Sequence, residues 1–176
     1  MKWPVPGFKK TIPSVGEPGG FLQDRGDRKH CGIDIYAPQN TAVVAIESGK
    51  VVLVDMFTSP DLISYWNKTF QIIMKGRSGL FYRYAELHDI SVQINDHVIE
   101  GETLGHVGRV LNTNRIDSRS PDYIQRLKKQ NHDCMLHLEI YESNPEKNDN
   151  YLGGNWFGKD KPNHIIDPAE MLKKVI

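Results

Sequence analysis

Alternation of apolar and polar positions runs through most of the chain and predicts short β-strands. Residues 30–54 contain β-branched runs interrupted by "APQN" and "ESGK", which are strand–turn–strand signals at close spacing. Residues 70–87 predict a hairpin that turns between Gly76 and Gly79, and "CMLHLEIY" at 134–141 predicts a further strand. The pattern therefore favours hairpins assembled into an antiparallel sheet.

Two segments carry helical signals instead. Ser120 and Pro121 offer an N-cap and a first helical position for a helix over 121–131, and Asp167 repeats this arrangement near the C-terminus. Together with the strands, these helices predict a mostly β fold. We expect a single compact antiparallel β domain over residues 1–176, with two short helices.

Two stretches fall outside the strand pattern. Residues 1–29 hold many glycines and prolines and show little periodicity, so they predict an irregular N-terminal loop. Residues 112–133 are longer than a hairpin connection and carry the first predicted helix together with several charged side chains. We interpret this second stretch as a helical insert.

Composition narrows the classes of function. Lys plus Arg and Asp plus Glu both number 22, so the chain has no excess of positive charge with which to bind nucleic acid. Hydrophobic residues make up 39% of the chain, but no window approaches the roughly 18 apolar residues of a membrane span. The first residues have Pro and Gly where a signal peptide needs an apolar core, so we expect a cytoplasmic protein or export by a route not visible here.

An HxGxD pattern is the first sign of a metal site. On a straight strand, at about 3.3 Å per residue, the α-carbons of His30 and Asp34 would lie roughly 13 Å apart, which is far for two ligands of one zinc ion. We therefore expect a bend at Gly32, whose missing side chain would also leave room for an ion. The pattern alone is weak, because His and Asp this close in sequence are commonly surface residues.

His137, within "CMLHLEIY", adds a third candidate ligand. Met135 and Glu139 share its face of the strand, because strand side chains alternate. Two histidines and one carboxylate, His30, Asp34 and His137, are the kind of open three-ligand set that catalytic zinc uses. Glu139 either hydrogen-bonds a ligand or forms a cross-strand ion pair, and both alternatives stay open.

The two cysteines do not predict a disulfide framework, and we expect Cys31 and Cys134 to be free thiols. A zinc site built from these thiols is disfavoured, because on straight strands both would point away from the neighbouring ligands. Their role stays open.

Five stretches then occur in an order found in a known family. They are "WPVPG", "HCGIDIYAP", "AIESGKVV", "YRYAELHDISVQINDHVIEGETLGHVG" and "LHLEIY". From Trp3 to Tyr141 the chain resembles the lysostaphin-like zinc endopeptidases of the LytM type. The resemblance implies a compact antiparallel β fold of the duplicated hybrid motif type and hydrolysis of bacterial cell-wall peptides. It also implies one zinc ion per chain, held by His30, Asp34 and His137.

The chain departs from this family at both positions that assist catalysis. Family members have a histidine where this chain has Met135, and a thioether cannot exchange a proton at neutral pH. They have another histidine where this chain has Glu86. Glu86 either acts as general base, because a carboxylate is ionised at neutral pH, or binds the metal and closes a structural site. We favour the general base, and His88, His132 and Asp133 stay open as substitutes for the histidine lost at Met135.

The function that follows is a zinc-dependent endopeptidase-like domain, acting on bacterial cell-wall peptides or another peptide substrate through a zinc-activated water. The alternative is a catalytically degenerate zinc-binding domain that binds a peptide, a cell-wall fragment or a protein partner without hydrolysis. The insert at 112–133 stands where the family has a short loop beside its groove. The substrate of this protein can therefore differ from a glycine-rich cross-bridge.

Overall fold

Twelve strands and four short helical segments make up residues 1–175, the part of the chain that the computed structural model describes. The strands are β1 (Lys29–His30), β2 (Ile33–Tyr36), β3 (Ala42–Val44), β4 (Gly49–Thr58), β5 (Thr69–Gly76), β6 (Phe81–Ile90), β7 (His97–Val98), β8 (Thr103–Arg109), β9 (Cys134–Tyr141), β10 (Tyr151–Leu152), β11 (Asn155–Trp156) and β12 (Ile165–Ile166). The helices are α1 (Asp122–Lys129) and α2 (Pro168–Leu172), with 3₁₀ turns at Thr113–Arg115 and Lys173–Val175.

Nine strands form one antiparallel sheet in the order β12-β9-β8-β6-β5-β4-β7, with β2 paired to β9 and β3 paired to β8. The pair β5 and β6 is the hairpin that the alternation predicts, turning between Gly76 and Phe81. A second, three-stranded sheet has the order β1-β11-β10. The expectation of a mostly β, antiparallel fold with two short helices is confirmed.

Apolar side chains separate into two clusters. The larger lies within the main sheet and includes fully buried residues such as Ile33, Ile72 and Leu138. The smaller lies beneath α1, where Tyr123 and Ile124 are buried together with a set drawn from three other segments: Tyr65, Trp66, Val110, Leu111, Ile116 and Met135. The insert is therefore packed onto the domain through an apolar face of its own.

The first helix begins differently from the sequence expectation. Pro121 is the N-cap of α1, with φ −53° and ψ 144°, and it makes no side-chain capping hydrogen bond. The Ser120 hydroxyl, expected at the cap, instead accepts from the Asp117 backbone N–H. At the C-terminus the expected cap is present, since the Asp167 side chain accepts from the Ala169 N–H at 2.9 Å and Pro168 opens α2.

The break between β1 and β2 falls at Cys31 and Gly32, where we expected a bend. The two strands pair with different partners, β1 with β11 and β2 with β9. A β-carbon on Gly32 would collide with the Leu138 carbonyl oxygen and lie 2.9 Å from Glu139 Cγ. The expectation that Gly32 leaves room for an ion is therefore wrong, because the backbone of β9 fills that space.

Residues before β1 are irregular, but backbone hydrogen bonds hold them against the sheets. The Leu22 N–H donates to the His30 carbonyl, and the His30 N–H donates to the Gln23 carbonyl. This pairing carries residues 19–25 to the side of the molecule on which His30 lies. In residues 1–175, no helix has the length and apolar character needed to cross a bilayer.

Candidate metal centre

His30, Asp34 and His137 meet in the interior of the protein. His30 Nε2 lies 3.1 Å from Asp34 Oδ1 and 3.0 Å from His137 Nδ1, and His137 Nδ1 lies 3.0 Å from Asp34 Oδ1. Asp34 and His137 are directly opposite each other on β2 and β9, while the break at Gly32 turns His30 towards them. All three are buried, so water does not separate their charges.

Neighbouring acceptors fix how each imidazole is turned. His30 Nδ1 lies 2.8 Å from the Gly20 carbonyl oxygen, and His137 Nε2 lies 2.8 Å from Glu139 Oε1. Each outer nitrogen must donate to these acceptors, which leaves the inner nitrogens and Asp34 Oδ1 as three converging acceptors. Three such atoms require a cation between them, and tetrahedral zinc would hold its ligand atoms about 3.3 Å apart. The donor set therefore fits zinc.

The pKa values describe the same requirement for positive charge. Burial and the Arg25 charge lower the pKa of His30 to about 4. Burial also acts to lower the pKa of His137, but hydrogen bonds to Asp34 and Glu139 outweigh it and raise that pKa to about 9. For Asp34, burial is outweighed by His30 and His137, so its pKa lies well below the usual value. Without metal at neutral pH, the proton on His137 Nδ1 therefore lies between the His30 nitrogen and the Asp34 oxygen.

Glu139 both supports a candidate ligand and forms a cross-strand ion pair. It accepts from His137 through Oε1, and its Oε2 lies 2.6 Å from Nη1 of Arg83, directly opposite on β6. Hydroxyls of Tyr141 and Tyr151 also donate to it, each at 2.7 Å. Burial raises the pKa of Glu139, but the Arg83 charge and the His137 hydrogen bond outweigh it and lower that pKa to about 2. The two roles that the sequence left open are held by the same carboxylate.

Glu86 reaches the site because β6 is irregular there. Ala85 pairs with Gln71 and Leu87 pairs with Phe70, so Glu86 is an extra residue without a partner on β5, and its φ is +63°. Ala85 is opposite His137, and regular alternation would send the next side chain to the other face. A bulge of this kind re-aims a side chain and is common beside active sites.

The Glu86 carboxyl is buried and incompletely bonded. Its Oε2 has no hydrogen-bond partner among residues 1–175, and the side chain lines a small cavity together with Asp34 and Met135. Burial and the charge of Asp34 raise the pKa of Glu86 to about 8. Glu86 does not belong to the three-residue cluster of candidate ligands, so the carboxylate stands beside that cluster as a separate group.

Met135 gives the cavity an apolar wall in place of an imidazole. It is 2% exposed and packs in the cluster beneath α1. The three residues left open as substitutes lie elsewhere: His88 is exposed, His132 stacks on Tyr36 at 4.1 Å, and Asp133 pairs with Arg109 at 2.8 Å. None of these three lines the cavity.

The insert narrows the cavity. Tyr123, Ile124 and Leu127 of α1 line it together with Asp34 and Glu86, and its volume is about 20 Å³. A cavity of that size holds about one water molecule. The insert, expected beside the groove, places α1 against the site.

Four residues that the sequence analysis missed also contribute to the site. The Arg25 guanidinium donates to Asp34 Oδ2 at 2.9 Å, and it also donates to Asn155 and Gln23. Gly154, with φ +75°, lies so close to the His137 ring that an added β-carbon would be 2.6 Å from Cε1. These residues lie in irregular segments or in the two-residue strand β11, without periodicity or a ligand motif, so no local signal marks them. Both cysteines are free thiols, as expected, and neither belongs to the cluster.

Comparison with known proteins agrees with this architecture. The protein-family model described as Peptidase family M23 matches residues 28–148, which include all three candidate ligands, Glu86 and Met135. No curated protein sequence matches the chain.

Solved structures show the same fold at low sequence identity. LytU is 20% identical with a TM-score of 0.53, and the match covers 98% of this chain and 91% of that one. The catalytic domain of the antimicrobial peptidase lysostaphin from Staphylococcus simulans is 19% identical with a TM-score of 0.50, covering 95% and 90%. A longer lysostaphin structure from Staphylococcus simulans is 20% identical with a TM-score of 0.51, covering 94% of this chain but 50% of that one. By the family match, which spans more than half of its length, this chain belongs to peptidase family M23.

Proposed function

We propose that the protein is a zinc-dependent endopeptidase-like domain that acts on bacterial cell-wall peptides. Its metal would be one zinc ion per chain, held by His30, Asp34 and His137. The observation that carries the proposal is the convergence of three buried acceptor atoms, 3.0–3.1 Å apart, beside the unpartnered carboxyl oxygen of Glu86. Membership of peptidase family M23 supports a peptide as the substrate.

In this proposal the protein groups divide the work between orientation and proton transfer. Zinc, when bound, supplies Lewis acidity, which polarises a peptide carbonyl and lowers the pKa of water. The Gly20 carbonyl and Glu139 hold the two imidazoles in the required tautomers. Glu86 Oε2 accepts a proton from the attacking water and returns it to the leaving amine. A divalent cation beside Glu86 would lower its pKa from about 8, so that the carboxylate is available at neutral pH.

Access sets a condition on this chemistry. A cavity of about 20 Å³ admits no peptide, so α1 has to move away from Met135 and Trp66 before a substrate can reach Glu86. Such a movement would separate the smaller apolar cluster and leave the main sheet in place.

The test is hydrolysis of bacterial cell-wall peptides by the zinc-loaded protein. We expect cleavage that a chelator abolishes and that Glu86→Gln lowers by about 10² to 10⁴-fold, because the amide keeps the shape but accepts no proton. Zinc content should be unchanged in Glu86→Gln, and the exposed Glu142→Gln serves as a matched control. Full activity in Glu86→Gln, or release of zinc by that change, would contradict the general-base role.

A second candidate is a degenerate domain that binds a peptide, a cell-wall fragment or a protein partner and hydrolyses nothing. The observation in its favour is the narrow cavity, which is lined by the apolar side chains of Met135 and Tyr123 on one side. Binding of cell-wall fragments by zinc-loaded protein, without cleavage by either the parent or Met135→His, would support this candidate over the enzyme.

A further inference from the structure

Arg25 is a buried cation with a complete set of anchors around it. Its side chain is 7% exposed, and its three nitrogens donate to Asp34 Oδ2 at 2.9 Å, Asn155 Oδ1 at 3.0 Å and Gln23 Oε1 at 3.3 Å. The guanidinium carbon also lies 4.6 Å from the centre of the Tyr123 ring. Three regions of the chain, residues 23–34, Tyr123 and Asn155, therefore meet on one side chain.

The anchors are themselves held in place. Asn155 lies opposite His30 in the pairing of β1 with β11, and its amide nitrogen donates to the Leu152 and Gly153 carbonyls. The Gln23 side-chain oxygen also accepts from the Gly19 N–H. Arg25 is thus fixed before any metal arrives, and the planar guanidinium fork suits several directed hydrogen bonds better than an ammonium would.

We propose that Arg25 is the positioning residue for Asp34 in the metal centre, an inference that rests on the zinc site proposed above. The two carboxylate oxygens of Asp34 have separate partners: Oδ2 faces Arg25, while Oδ1 faces His30 and His137. Arg25 thereby leaves one oxygen for the metal and stops the carboxylate from rotating or binding through both oxygens. Groups that hydrogen-bond a ligating carboxylate typically change metal affinity 10–100-fold when removed.

Two opposing effects decide the sign of this contribution. A guanidinium beside Asp34 repels a divalent cation, which acts against metal binding. Its removal, however, frees Asp34 Oδ2 and leaves Asn155 Oδ1 without the donor that Arg25 provides. We expect orientation to outweigh repulsion, because Arg25 bonds only Oδ2 and leaves Oδ1 directed at His30 and His137. Removing Arg25 is therefore expected to weaken zinc binding.

Tyr123 extends the same arrangement to the insert. Its ring packs on the guanidinium while its neighbours on α1 line the cavity. Arg25 therefore both hydrogen-bonds Asp34 and stacks on the insert helix. Asp34 and the helix against the site are joined through it.

The experiment is to measure zinc affinity by chelator competition in Arg25→Met, in Arg25→Lys and in a control, Arg28→Met. Arg28 pairs with the exposed Asp27 and packs on Phe157, so it matches Arg25 in type and in sequence neighbourhood but makes no hydrogen bond or ion pair with the candidate ligands. We expect Arg25→Met to weaken zinc binding by about 10–100-fold, Arg25→Lys to weaken it less, and Arg28→Met to leave it unchanged. Substitution by cobalt(II) gives a second readout, because a freed Asp34 that binds through both oxygens raises the coordination number and weakens the visible absorption band.

The melting temperature of the metal-free variants separates positioning from a purely structural role. A lower melting temperature with unchanged zinc affinity and an unchanged cobalt spectrum would overturn the proposal. If Arg25→Met does not fold, the zinc affinity of Arg25→Lys tests the proposal instead. Lysine keeps the positive charge and one donor for Asp34 but loses the planar guanidinium with its several directed donors. None of these readouts needs hydrolysis, so an inactive parent that binds zinc still tests Arg25. A parent that binds no zinc would overturn the metal centre and this inference together.

Discussion

His137 Nδ1 lies 3.0 Å from Asp34 Oδ1, and the two residues face each other directly on adjacent strands although 103 positions separate them in the chain. With His30 Nε2 at 3.0 Å from the same nitrogen, the contact needs one positive charge, which a proton or a metal ion can supply. Competition between the proton and the metal is the basis of the first expectation.

Zinc binding should release about two protons at neutral pH, one from His137 and one from Glu86, whose pKa of about 8 the cation would lower. The pKa of His137 is raised to about 9, so this imidazole is protonated in the metal-free protein below that pH and must lose its proton to bind zinc. Apparent zinc affinity should rise with pH by more than tenfold per unit below about pH 8, where both groups are protonated, and level off above about pH 9. Titration calorimetry in buffers of different ionisation enthalpy measures the proton count. Binding without proton release at pH 7 would contradict the shared-proton arrangement.

His137→Ala should abolish stoichiometric zinc, because it removes one of three ligands and leaves Asp34 and Glu139 without their shared donor. His164→Ala is the control, since His164 is 60% exposed and distant from the cluster. Metal analysis of the purified variants should give about one zinc per chain in the parent and in His164→Ala. Equal zinc in both variants would remove the basis for the proposed ligand set.

Glu139→Gln should destabilise the metal-free protein. The change leaves the buried guanidinium of Arg83 without its partner, and breaking a buried ion pair typically costs about 3–5 kcal/mol. Glu170→Gln, at an exposed pair with Lys173, should have little effect on the denaturation midpoint. Chemical denaturation of the three proteins measures the difference, and equal midpoints would show that the pair contributes nothing.

The Glu139 carboxylate should also account for part of the protein's loss of stability in acid. Because the pKa of Glu139 is lowered from 4.5 to about 2, its contribution to the free energy of unfolding is complete above pH 4.5. That contribution is lost as pH falls from 4.5 towards 2. Melting temperatures measured across this window should fall more steeply for the parent than for Glu139→Gln. Parallel curves would assign the acid sensitivity to other groups.

Met135→His should increase hydrolysis if the protein is an enzyme, because the change restores an imidazole at the position where family members have one. General acid–base groups contribute up to about 10²–10⁴-fold, and we expect a gain at the lower end because α1 still narrows the cavity. The melting temperature should fall, since Met135 is buried among apolar side chains. Measuring both quantities separates a catalytic gain from a general loosening of the site.

Loosening the insert should speed the removal of zinc by a chelator. Tyr123→Ala deletes the ring that packs on Arg25 and lines the cavity, whereas Lys129→Ala changes an exposed residue of the same helix. We expect faster extraction in Tyr123→Ala and the parent rate in Lys129→Ala, followed by stopped-flow with a coloured chelator. Equal rates would show that α1 does not control access to the site.

Local patterns were sufficient for the strands, the order of the motifs and the choice of candidate ligands. Alternation with period two identifies a half-buried strand without knowledge of its partners, so the hairpin of β5 and β6 and the strand containing His137 follow from their own residues. The bend at Gly32 follows from ligand reach alone, because a straight strand holds His30 and Asp34 too far apart. The order of motifs over the chain was specific enough to indicate the family.

Only the tertiary structure decided what surrounds those ligands. Glu86 turns into the cavity because of an unpaired residue in β6, and Glu139 serves His137 and Arg83 at once because β9 lies beside β6. The narrowing of the cavity by α1 and the anchoring of Asp34 by Arg25 depend on contacts that only the fold creates. No periodicity encodes contacts of this kind, since they arise from strand register and from the packing of irregular segments. The candidate ligands could therefore be chosen from the sequence, whereas the charge, access and support of the site required the fold.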